Sequence, residues 1–145
     1  MGSDILLSMQ HLESKRWVIF EDDGDAGWLY VTGPDSLRPE SSCFVYNRMQ
    51  PPASIGREHP HEVAPPVTRG YASSEAVVSF ISEADLEVRW SPAGAAAVVL
   101  ERGDPRAMVV VGEPLGWSKG LSRDGPYGHP WSPTNYERFF PSSHR

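Results

Sequence analysis

The amino-acid sequence predicts a mainly β fold, α+β at most: a single domain built on an antiparallel sheet or meander, with one or two short helices. Three observations point there. Apolar, β-branched and aromatic residues fall in short runs bounded by turn residues rather than at helical spacing. Gly (13) and Pro (14) are abundant for 145 residues, so turns are frequent and elements short. One hairpin is also spelled out in full between Trp17 and Thr32. The chain is long enough for one real hydrophobic core. The division it suggests is a lead-in over 1–15, a β core over 16–112 containing a proline-rich loop over 50–70, and an aromatic-anchored tail over 113–145.

Residues 1–15 support two readings. Ser3 or Asp4 can cap a short helix with Ile5, Leu6, Met9 and Leu12 on one stripe, or the segment is a frayed lead-in. In the hairpin, Trp17 and Ile19 alternate with Val18 and Phe20. Both faces are apolar, so this strand is expected to be covered on both sides. Glu21-Asp22-Asp23-Gly24-Asp25-Ala26-Gly27 is the reversal, where Gly24 and Gly27 can supply positive φ. Trp28 and Tyr30 then alternate with Leu29 and Val31 on the returning strand.

A polar loop over 33–42 leads to a third strand, Cys43 to Asn47. Residues 50–70 carry Pro51, Pro52, Pro60, Pro65 and Pro66, the composition of a functional or mobile loop. Residues 72–84 can be a helix capped by Ser73 or Ser74, but the β-branched and aromatic run from Val77 to Ile81 favours a strand. A meander follows. Leu86, Val88 and Trp90 alternate with Glu87 and Arg89; Ser91-Pro92-Ala93-Gly94 turns; Ala95 to Leu100 returns; Gly103-Asp104-Pro105 turns again; Ala107 to Val111 closes the set. The tail reads as loops held by Trp117, Tyr127, Trp131, Tyr136, Phe139 and Phe140. So many aromatics are foreign to a disordered segment, and the tail is expected to wrap back on the sheet.

Composition narrows the function. The net charge is −6 and neither half of the chain is basic, which argues against a nucleic-acid backbone as partner. The single cysteine, Cys43, excludes an intrachain disulfide and a thiolate metal cluster. No apolar run is long enough for a membrane helix, and the N-terminal stretch lacks the features of a secretory signal, so the expectation is a cytoplasmic protein.

Four groups of residues invite a chemical reading. Gly116-Trp117-Ser118-Lys119-Gly120 spells a nucleophile elbow, and Asp124 and His129 follow in hydrolase order. The elbow, however, needs a strand before the serine and a helix after it, and Pro114, Gly120, Gly125 and Pro126 oppose both. Glu58-His59-Pro60-His61-Glu62 offers imidazoles and carboxylates to zinc or nickel, with further ligands needed from elsewhere. Glu21, Asp22, Asp23 and Asp25 resemble a calcium loop in composition, but the loop closes too early on Ala26-Gly27-Trp28. Arg102-Gly103-Asp104 is read as a hairpin turn. Trp28, Tyr30, Trp90 and the tail aromatics can stack on sugars or bases, although core packing is the commoner use of most of them.

Phe20-Glu21-Asp22-Asp23-Gly24-x-x-Gly27-x-x-Tyr30, together with Val45-Tyr46-Asn47 and Trp90-Ser91-Pro92-Ala93-Gly94, is similar to a small bacterial family of unknown function that opens with the same hairpin. The similarity covers roughly residues 17–112. The proline-rich 50–70 segment and the longer tail depart from it. Such proteins look like those encoded near polymorphic toxins, so the resemblance implies an immunity role by association.

The functional expectation is a non-enzymatic binding protein, of immunity or accessory type, that neutralises a protein partner of basic character. Glu21, Asp22, Asp23 and Asp25 are its expected contacts, the proline-rich loop is a second surface, and no cofactor is expected. The first alternative is a small hydrolase, either metal-dependent through His59 and His61 or serine-type through Ser118. The second is a small-ligand module using the aromatic surface.

Overall fold

The computed structural model describes residues 5–48, 71–78 and 81–141. Two open sheets pack face to face. The first has strand order β1-β2-β3-β4, all antiparallel: β1 (Ile5–His11), β2 (Arg16–Asp22), β3 (Ala26–Thr32) and β4 (Pro39–Asn47). The second has order β5-β6-β7-β8-β9, from β5 (Leu86–Trp90), β6 (Ala96–Glu101), β7 (Asp104–Val110), β8 (Trp117–Ser118) and β9 (His129–Pro130). Its last pair is parallel and the others antiparallel. One short helix, α1 (Pro133–Phe139), follows. The mainly β expectation holds.

The strands arise from period-two patterning. On β2, Val18 and Phe20 are buried while Trp17 and Ile19 are only half-buried; on β3, Leu29 and Val31 are buried while Trp28 and Tyr30 face outward. The inward sets of both sheets form the main core: Val18, Phe20, Leu29, Val31, Val45 and Tyr46 from one side, Val88, Trp90, Ala97, Val99 and Val109 from the other. At one edge the layers are tied together by Trp90, whose indole Nε1 donates to the Met9 carbonyl at 3.0 Å.

Gly24 and Gly27 are required for different reasons. Gly24 turns the β2–β3 hairpin at φ 96°. Gly27 is not a turn glycine, contrary to expectation. It lies within β3, where a Cβ would stand 3.0 Å from the rings of both Phe20 and Tyr46, so its missing side chain lets two aromatics close over the strand. The β6–β7 hairpin turns on Arg102 and Gly103, both at positive φ, which accounts for the Arg102-Gly103-Asp104 tripeptide as backbone geometry.

The structure corrects four other expectations. The lead-in is a strand over Ile5–His11, because pairing with β2 supplies backbone partners that an isolated short helix would lack. Residues 72–84 hold neither a regular strand nor an α-helix among the described residues. Ala72 and Val77 make isolated bridges to Leu121 and Asn47, and Glu83–Asp85 forms a 3-10 turn capped by Ser82. The tail contains a helix as well as loops, started by the Ser132 side chain accepting from the Asn135 amide, with Pro133 in the first turn. Finally, among the described residues β2 is buried on its Val18–Phe20 face only, while Trp17 and Ile19 on the other face are half-buried. Among the described residues no helix is long and apolar enough to cross a membrane.

Candidate functional site

The outer faces of the sheets differ in what lies over them. The outward residues of the second sheet, Val98, Leu100, Met108 and Val110, are buried beneath Trp117, Trp131, Tyr136, Phe139 and Phe140. The β3–β4 half of the first sheet is also covered: Phe44 packs with Leu121, Tyr127 and the half-buried Trp28 and Tyr71. Among the described residues, nothing comparable covers the β1–β2 half. Leu6, Ser8, Trp17, Ile19 and Leu37 line a shallow concavity of about 300 Å³ there. Leu6 is 67% exposed and Leu37 70% exposed. Large apolar side chains left in water together mark a contact surface more often than a stabilising one.

This concavity has an acidic end. The register pairs Leu6 with Glu21 and Glu21 with Trp28, and Glu21 is exposed. Next along the same face, the Tyr30 hydroxyl is pushed up to about 12, first by burial and then by the charges of Glu21 and Asp23. A negative field therefore covers the end of the apolar surface nearest the β2–β3 turn.

The four acids of that turn do not act alike. Glu21 points outward and Asp25 is half-buried, with its carbonyl accepting the Arg48 amide at 2.8 Å. Asp23 caps the turn, its Oδ1 accepting from the Asp25 and Ala26 amides at 2.9 and 3.1 Å. Asp22 overturns the expectation of an exposed contact. It is 0% exposed, and its carboxylate accepts from the Tyr46 hydroxyl at 2.6 Å, the Arg48 guanidinium at 2.7 Å and the Gly24 amide at 2.8 Å. Burial and the hydrogen bond to Asp22 push the Tyr46 hydroxyl strongly up, so it stays a donor. A carboxylate so enclosed fastens β2 to β4 and is not available to a partner. The signal was present in the sequence: Asp22 has the strand parity of Val18 and Phe20, which face the core.

The hydrolase residues are not brought together. Ser118 is buried on β8, its hydroxyl donating to the Val45 carbonyl at 3.4 Å and accepting from the Gly120 amide at 3.0 Å. A turn, not a helix, follows it. Asp124 and His129 do meet, Oδ1 to Nδ1 at 2.7 Å, on the surface beside the Trp117 ring. Trp117 pairs with His129 across β8 and β9, so alternation turns Ser118 to the other face of the strand. The Cys43 thiol is enclosed, and burial pushes it well above the usual thiol range, so it is inert. The metal candidates His59 and His61, with the 50–70 loop, lie outside the described residues. Among the described residues, no group of three or more His, Cys, Asp or Glu side chains is placed to hold a metal ion.

Compared with family models, curated proteins and solved structures, the chain matches none. The residues that sequence reasoning missed are the apolar ones, Leu6 and Leu37 above all. Nothing local distinguishes an exposed leucine from a core leucine before the strand pairing is known.

Proposed function

We propose that the protein is a non-enzymatic binding protein that caps a protein partner, in the manner of an immunity or accessory protein, with the bare β1–β2 face of its first sheet. One observation carries the reading: among the described residues the β3–β4 half of the first sheet and the outer face of the second are covered by the chain's own aromatics, while Leu6 and Leu37 stand exposed beside the half-buried Trp17 and Ile19. The partner's complementary surface is an apolar anchor bordered by basic groups, since Glu21 and Asp23 give one end of the face a negative field. The resemblance of the hairpin motif to proteins that look like those encoded near toxins makes the product of a neighbouring gene the first partner to test. Asp22 takes no part, because its carboxylate is already used inside the sandwich.

The test is capture of that product by the intact chain and by two variants. Leu6→Asp with Ile19→Asp should abolish capture while leaving the circular dichroism spectrum and melting transition in place. Glu21→Gln with Asp25→Asn should slow association and reduce its salt dependence. Undiminished capture by the first variant would show that this face is not the contact.

A further inference from the structure

A second concavity, of about 390 Å³, opens on the outer side of the other sheet, between α1 and the end of β7. That volume falls in the range of about 300–1,000 Å³ usual for small-molecule sites. Val110 and Val111 form part of its apolar lining, and Trp117 and Phe139 bring aromatic rings to it. Two opposite charges also line it, Glu113 just after β7 and Arg138 on α1.

Arg16, Arg48, Arg89 and Arg102 each close on a carboxylate within 3.2 Å. Arg138, like Arg123 over Tyr71, rests its guanidinium on a ring instead, 5.2 Å from the Phe139 centroid. Among the described residues neither Arg138 nor Glu113 has an ion-pair partner, although both border the same cavity. A guanidinium presents a fork of donors matched to a carboxylate, and a free carboxylate accepts readily from an ammonium. An apolar lining with one such group of each sign is complementary to a molecule carrying both opposite charges on a small polar head and a hydrophobic body.

We propose that this cavity binds a hydrophobic α-amino acid. The ligand carboxylate meets Arg138, its ammonium group meets Glu113, and its side chain lies against Val110 and Val111 beside Trp117 and Phe139. The site is separate from the bare face of the first sheet and does not depend on the protein-capping reading.

The experiment is a nitrogen–proton correlation titration of the full chain with L-phenylalanine, L-leucine and L-tryptophan, and with N-acetyl-L-phenylalanine and L-phenylalanine amide as blocked probes. At least one free amino acid should bind saturably, shifting the Trp117 indole and the amides of 110–113 and 135–139. Each blocked form of phenylalanine should bind about tenfold more weakly, as expected for loss of one charge-assisted contact. Arg138→Ala should erase the discrimination against the amide, and Glu113→Gln the discrimination against the acetylated form, in spectra that otherwise match the parent. Absence of saturable binding by all three amino acids, equal affinity for free and blocked probes, or shifts confined to other regions would each overturn the assignment.

Discussion

On the second sheet Val98 and Met108 point outward, and the tail lays Trp131, Tyr136, Phe139 and Phe140 among the residues over that layer. On the first sheet Leu6, Trp17 and Ile19 also point outward, around a concavity open to solvent. Both surfaces come from strands of similar apolar content, so hydrophobicity alone does not separate them. The difference is that one has been given a cover made from the chain itself. The covered face gains stability from burial, and the other leaves Leu6 in water among the described residues.

Substitutions on the two faces should therefore divide between stability and binding. A large effect is expected from Met108→Ala, which empties a fully buried position under the tail: chemical denaturation should show a loss of about 3 kcal/mol. Leu6→Ala on the bare face should stay within about 0.5 kcal/mol. Equal losses would mean that the two faces do not differ as described.

The same division runs through the acidic turn. Asp22→Ala leaves the Arg48 guanidinium and the Tyr46 hydroxyl without their shared acceptor and should cost about 3 kcal/mol in denaturant unfolding. Its neighbour Glu21→Ala should change stability by less than about 0.5 kcal/mol and show its effect in partner association only. A stable Asp22→Ala variant that loses capture would reverse these roles. Trp131→Ala tests the cover itself: as a half-buried aromatic it should lower stability by about 2 kcal/mol and increase binding of a hydrophobic dye.

The smallest effect concerns pH. The Tyr30 hydroxyl is raised from 10.0 to about 12 in the fold, so below pH 10 both folded and unfolded chains hold its proton and its contribution is complete. As pH rises from 10.0 towards about 12, the unfolded tyrosine ionises first and stability falls. Tyr46, also raised, acts in the same direction. Tyr30→Phe should therefore lose less stability than the parent between neutral and alkaline pH in matched denaturant titrations. An identical alkaline loss would show that Tyr30 titrates as it does in the unfolded chain.

Much of the fold could be read from local patterns. Alternation along Leu86-Glu87-Val88-Arg89-Trp90 gives a strand with one buried face, and that is β5. The run of turn residues after Phe20 gives a hairpin, and the tail aromatics give an anchored segment. The tail helix had its own mark in Ser132 and Pro133, an N-cap followed by proline in the first turn. The candidate site was less legible. The acids at 21, 22, 23 and 25 look equivalent in a list of letters, yet Asp22 is enclosed and Glu21 exposed because strand pairing extends through Asp22 and fixes its parity.

By itself, then, the sequence determined strand propensity, turn positions and the alternation of faces, because these depend on neighbours a few residues apart. Only the tertiary structure decided that the strands form two sheets, that the tail covers one outer face while, among the described residues, β1 and β2 leave another open, and that Ser118 turns away from His129. Those outcomes rest on contacts between segments far apart in the chain, such as Asp22 with Tyr46 and Arg48, Ser118 with Val45, and Met108 with the tail. No local window of sequence contains both partners.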